Sequence, residues 1–252
     1  MRKVYSLSIL AGLVLAISGC HANPASNSAA DSKAEPAASN APARGEPSDE
    51  SNGSTATREV APKPVRSDDS RPVLVCFGDS LTAGLGTGPG QSYPDYLQED
   101  LDKLHYHYRV DNEGISGNTT KDGVERLPDI LALHPAVVVV EFGGNDGLRG
   151  LRVEDTRANL DEIVGTLKKA GVKVALAGIT LPPDYGPDYI QKFDETYNML
   201  AKKYHVPLLP FLLKDVYGVP GMMQRDNTHA TAKGNVIVAK NVVPLVTPLL
   251  KP

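Results

Sequence analysis

Cysteine is scarce, positive charge is not in excess, and no apolar run is long enough to cross a bilayer. Two cysteines, Cys20 and Cys76, cannot staple a disulfide-dense scaffold. The longest apolar stretch, within Ser6–Ile17, holds about a dozen residues, whereas a spanning helix needs about 20. Lys and Arg number 26 against 30 Asp and Glu, a net charge of −4. That balance, with a pI near 5.9, leaves no basic footprint for nucleic acid. Metal-ligand clusters are missing too. His105 and His107 lie two apart on an expected strand, with no further ligands near them, so no metal is expected. Gly84, Gly86, Gly88 and Gly90 do not fit a dinucleotide fingerprint, and no Gly-Lys-Ser/Thr follows, so they read as a rim loop and no cofactor is expected.

What is present begins with a leader. Arg2 and Lys3 precede the short apolar run, which closes on Ile17-Ser18-Gly19-Cys20. The layout is that of a secretory signal peptide. Its end resembles the bacterial lipoprotein box, which implies cleavage before Cys20 and lipid on that residue. Residues 1–19 are then a signal peptide, and the chain an exported lipoprotein of the cell envelope. Residues 21–70 contain no Leu, Ile, Met or aromatic, and 32 of the 50 are Ala, Ser, Pro, Asn or Gly. Such a segment buries too little apolar surface to offset its ordering entropy. Residues 20–70 are expected to be a disordered tether, about 40 Å end to end as a coil.

Residues 71–252 are a single-domain length. Short apolar runs alternate with amphipathic stretches. Strands are expected at Val73–Phe77, Tyr106–Val110, Val137–Val140, Val172–Ala177 and Val206–Leu209. Helices are expected at Tyr93–Leu104 with Ser92 as N-cap, in parts of Thr119–Leu133, and at Glu154–Ala170, Tyr189–Tyr204 and Thr231–Leu250. Pro244 and Pro248 are expected to kink or end the last helix. The alternation defines an α/β class with a largely parallel sheet, whose ligands sit at the carboxyl ends of the strands.

The loops at that end carry the chemistry. They are Gly78-Asp79-Ser80-Leu81, Gly114-Ile115-Ser116-Gly117-Asn118 and Gly143-Gly144-Asn145-Asp146, followed near the C-terminus by Asp226-Asn227-Thr228-His229. A serine hydroxyl is a weak nucleophile and needs a base. His229 can serve Ser80, and Asp226 can hold the ring. An acyl-transfer site also needs donors for the developing oxyanion. The N–H groups of Ser80 and Gly117 and the Asn145 amide supply three. Cys76 reads as a small core residue within its strand.

These four segments, in this order, resemble the GDSL esterases, also called SGNH hydrolases. Val140–Gly150, Leu181-Pro182 with Tyr185-Gly186, and Val206–Phe211 are similar to the thioesterase I, lysophospholipase L1 and arylesterase group. The resemblance implies a flavodoxin-like three-layer α/β/α fold with five parallel strands over residues 71–252. It implies Ser80 as nucleophile, Asp226 and His229 as its partners, and Gly117 and Asn145 in the oxyanion hole. It implies a small-molecule acyl ester as substrate, with lysophospholipid among the candidates. Two departures stand out. Ala230 replaces the usual proline after the histidine, which predicts a less rigid loop, and Thr228 replaces an apolar residue. Two other functions fit the same blocks: a carbohydrate acetyl-esterase, and a silent surface lipoprotein that binds lipid or glycan. Oligomeric state is not legible in the sequence.

Overall fold

The computed structural model describes residues 69–251; Cys20, the leader and nearly all of the tether lie outside them. Five parallel strands are β1 (Val73–Gly78), β2 (Arg109–Gly114), β3 (Val137–Glu141), β4 (Lys173–Ala177) and β5 (Leu208–Leu209), ordered β2-β1-β3-β4-β5. The helices are α1 (Ser80–Ala83), α2 (Tyr93–Lys103), α3 (Thr120–Glu125), α4 (Leu127–Ala132), α5 (Gly144–Leu148), α6 (Val153–Lys169), α7 (Pro187–Tyr204) and α8 (Ala232–Val246).

Strand alternation sorts the core into two layers. Val75, Phe77, Val138, Val140, Val174 and Leu176 face α6 and α7, packing on Leu160, Ile163, Phe193 and Tyr197. Leu74, Cys76, Val137, Val139, Ala175 and Ala177 face α2 and α8, packing on Leu97, Leu101, Val238 and Val242. Both faces are covered, which is why these strands read as unbroken apolar runs. Each fully buried valine of β3 contributes roughly 1.5–3 kcal/mol by leaving water.

The strand order reverses between β1 and β3, and a crevice opens beyond their carboxyl ends. The loop after β1 carries Ser80, and the loop after β3 carries Asn145.

Local signals set most boundaries. Ser92 caps α2 through a reciprocal pair with Asp95, and Thr119 caps α3 through the same arrangement with Asp122. Four expectations need correction. The second strand runs Arg109–Gly114, not Tyr106–Val110; pairing starts where Arg109 meets Val73, and Tyr108 is buried ahead of it. His105 sits in a left-handed turn after α2, so it shares no strand face with His107. The fifth strand is only Leu208–Leu209, because Pro207 and Pro210 have no N–H for a ladder. The last helix runs Ala232–Val246 rather than to Leu250: Pro244 lies inside it on the exposed side without ending it, and the α-helix stops ahead of Pro248. Among the described residues no helix is long and apolar enough to cross a membrane.

Candidate active site

Ser80 opens α1 immediately after β1, and Asp79 caps that helix by accepting the Leu81 N–H at 3.0 Å. The strand end fixes the backbone, so the hydroxyl projects into the crevice. His229 Nε2 lies 2.8 Å from Ser80 Oγ. On the other side of the ring, His229 Nδ1 lies 2.7 Å from Asp226 Oδ2. Asp226 Oδ1 accepts the N–H groups of Thr228 at 2.9 Å and His229 at 3.1 Å. One carboxylate therefore shapes the loop with one oxygen and orients the imidazole with the other. Burial opposes ionisation of Asp226, yet the bonds from the His229 ring and from the two N–H groups outweigh it and hold the carboxyl at about 2.

Backbone and side-chain bonds shape the histidine loop, in which Ala230 follows the histidine. Gln224 N–H donates to the His229 carbonyl at 2.8 Å, and Thr231 N–H donates to that of Met222 at 2.8 Å. Met223 and Ala230 form an antiparallel bridge between them. The Gln224 amide donates to the carbonyls of Ala230 at 2.8 Å and Leu85 at 2.7 Å. Those bonds tie the loop to the segment after α1. Gln224 carried no signal in the sequence, because its partners are backbone carbonyls.

The opposite wall carries Gly117 and Asn145, which line the same cavity as Ser80 and His229. Asn145 Nδ2 donates to Asp79 Oδ2 at 3.1 Å and to the Asn118 carbonyl at 2.9 Å. Gly143, just ahead, has φ of 116°, and a side chain there would meet the Tyr197 hydroxyl, so the turn that presents Asn145 requires glycine. Arg149 donates to the Gly117 carbonyl at 2.9 Å, tying the two loops together. Asp146 is buried and accepts the Thr120 N–H at 2.9 Å and the Thr156 hydroxyl at 3.3 Å, which anchors α5 below the site.

The cavity measures about 340 Å³. Leu85, Leu148, Ile179, Leu181, Phe211 and Leu213 supply much of its wall, so its polar groups are concentrated at the reacting corner. That arrangement suits an apolar group placed beside a polar bond. Among the described residues no cluster of His, Cys, Asp and Glu is placed to hold a metal. Cys76 is fully buried in β1, and burial pushes its thiol up to about 12, far from reactive character.

Sequence reasoning missed one pair beneath the site. Asp79 and Glu141 are both buried, and the Asp79 N–H donates to Glu141 Oε2 at 3.3 Å. Burial pushes Asp79 up to about 6 against bonds from Leu81 and Asn145 that favour its charge, and burial followed by the Asp79 charge pushes Glu141 well above its usual range. The available signal was a lone acid closing a run of four valines in a strand covered on both faces.

Residues 76–237 match the GDSL-like lipase/acylhydrolase family. Esterase TesA of Pseudomonas aeruginosa is 43% identical over 178 residues, covering 70% of this chain and 89% of that protein. Thioesterase 1/protease 1/lysophospholipase L1 of Escherichia coli K12 is 38% identical over 178 residues, covering 70% and 84%. A crystal structure of TesA superposes with a TM-score of 0.68 at 43% identity, covering 71% of this chain and 99% of that one. The chain belongs to the GDSL-like lipase/acylhydrolase family. It is an α/β ester hydrolase of the SGNH type, with the five-stranded parallel sheet that the resemblance implied.

Proposed function

We propose that the chain hydrolyses acyl esters through a Ser80 acyl-enzyme. The observation that carries this reading is the unbroken Asp226–His229–Ser80 relay opening on an apolar cavity. Ser80 Oγ attacks the acyl carbonyl while His229 Nε2 takes its proton. The oxyanion is met by the N–H groups of Ser80 and Gly117 and by the Asn145 amide, which redirects one N–H from its resting acceptor. His229 returns the proton to the leaving oxygen as the tetrahedral intermediate collapses. Water, deprotonated by the same nitrogen, then attacks acyl-Ser80 and releases the acid. No cofactor enters these steps.

The substrate class we infer is an acyl or aryl ester of the arylesterase, lysophospholipase or thioesterase type. The apolar wall supports it, as do the activities named for the relatives. We further propose that Cys20 carries a lipid and tethers the domain in the cell envelope. The residues preceding Cys20 support that, and an exported enzyme meets lysophospholipid and exogenous esters rather than cytoplasmic acyl-CoA. The test compares the chain with Ser80→Ala on p-nitrophenyl esters from acetyl to lauroyl, with lysophosphatidylcholine alongside. Ser80→Ala is expected to lower kcat by about 10⁴-fold or more, with an optimum above acetyl. A rate unchanged by the substitution overturns the mechanism, and activity confined to acetyl esters replaces the substrate class by deacetylation.

A further inference from the structure

Strand β3 delivers one ionisable side chain to the carboxyl end of the sheet, and the reaction above does not use it. Glu141 is 0% exposed and lies in register with Gly78 of β1. Its Oε2 accepts the Thr82 hydroxyl at 2.7 Å and the Asp79 N–H at 3.3 Å. Its Oε1 is also buried, and no donor reaches it among the described residues. Asp79, whose own N–H bonds Oε2, carries the second carboxyl, and each carboxyl influences the ionisation of the other. The space is tailored to this acid: a Cβ on Gly78 would meet Thr82 Oγ1 and come within 2.5 Å of Glu141 Oε2.

Two adjacent carboxylates without a buried cation cannot both be ionised cheaply. A proton kept on Glu141 removes one charge and gives the pair a donor. Asp79 then accepts from Glu141 while its Oδ1 holds the Leu81 N–H and its Oδ2 holds the Asn145 amide. We propose that Glu141 is a positioning residue: as a neutral carboxylic acid it donates a hydrogen bond to Asp79 and so fixes the carboxylate that orients the Asn145 amide. It acts through Asp79 and touches no reacting atom. The proposal rests on Asn145 serving as an oxyanion donor.

The test uses the full chain and four variants: Glu141→Met, Glu141→Gln, Asn145→Ala, and the double variant Glu141→Met with Asn145→Ala. Met keeps the volume and loses the hydrogen bond, whereas Gln mimics the neutral acid, its amide donating to Asp79 and its oxygen accepting from Thr82. Asn145→Ala is expected to lower kcat about 10²–10³-fold. Glu141→Met is expected to lower kcat about 10- to 100-fold with KM within twofold, and Glu141→Gln to stay within about threefold of the unsubstituted chain. The double variant should be no slower than Asn145→Ala alone, because both act on one amide. A readout independent of catalysis covers a variant that folds poorly: the infrared band of a protonated carboxylic acid, present at neutral pH and absent from Glu141→Gln. Four results overturn the proposal while leaving the oxyanion reading intact: full kcat in Glu141→Met, equal losses in the Gln and Met variants, multiplicative losses in the double variant, or no protonated-acid band. Full kcat in Asn145→Ala removes the oxyanion reading and this proposal with it.

Discussion

Two aspartates flank the nucleophile, and their surroundings drive them in opposite directions. Asp226 stands on an exposed loop, ringed by donors, and is held at about 2. Asp79 stands at the end of a buried strand beside a second acid and is pushed up to about 6. One arm of the site is charged, wet and tied to a loop. The other is dry, pairs two buried acids and is built into the sheet. Under the proposed mechanism, the comparison teaches that the site separates two tasks. The loop arm handles proton transfer, where a permanent negative charge stabilises the imidazolium. The sheet arm handles geometry, where a buried carboxylate accepts from the Asn145 amide and sets its position.

The largest effect that would sharpen this contrast is expected from Asp226→Asn. The amide oxygen can keep the Thr228 and His229 N–H bonds, so the loop survives. Its NH₂ group then faces His229 Nδ1 and leaves the ring proton on Nε2, pointing at Ser80. A fall in kcat of about 10³-fold with an unchanged melting temperature is expected. Activity within a few fold of the unsubstituted chain would show that the ring does not need this partner. Because the carboxyl stays ionised down to about 2, Asp226 itself should add no acid limb between pH 4 and pH 8.

Asp79→Asn probes the other arm through stability. A carboxyl whose folded pKa lies above its usual value holds its proton more tightly when folded. Its contribution is therefore fully present below about pH 4 and is lost as pH rises to about 6. Denaturant unfolding of the unsubstituted chain should lose stability more steeply between pH 4 and pH 7 than unfolding of Asp79→Asn. Parallel pH curves would place Asp79 in a far wetter setting than the sheet end provides.

The same contrast explains what the sequence disclosed. Ser80, Gly117, Asn145, Asp226 and His229 were all legible, because each sits in a short segment of unusual composition after a strand or before the last helix. The buried strands were legible for a related reason: four consecutive valines have few alternatives. Glu141 was not, since its role depends on register, which sets it opposite Gly78 and against Asp79. Gln224 was hidden because backbone carbonyls have no sequence identity. The strand at Tyr106–Val110 was misplaced because its alternation mimics a half-exposed strand, while the ladder begins where Arg109 meets Val73. The loop beside Ala230 was read through its missing proline, while the Met223–Ala230 bridge that shapes it carries no sequence signal.

The central claim is that Ser80 is the group acylated during turnover. A fluorophosphonate probe reacts with an activated serine, and the adduct can be mapped by peptide mass. The account predicts one adduct per chain, on the peptide carrying Ser80, with esterase activity falling in step with labelling. An adduct on another residue, or hydrolysis that persists in fully labelled protein, would contradict it.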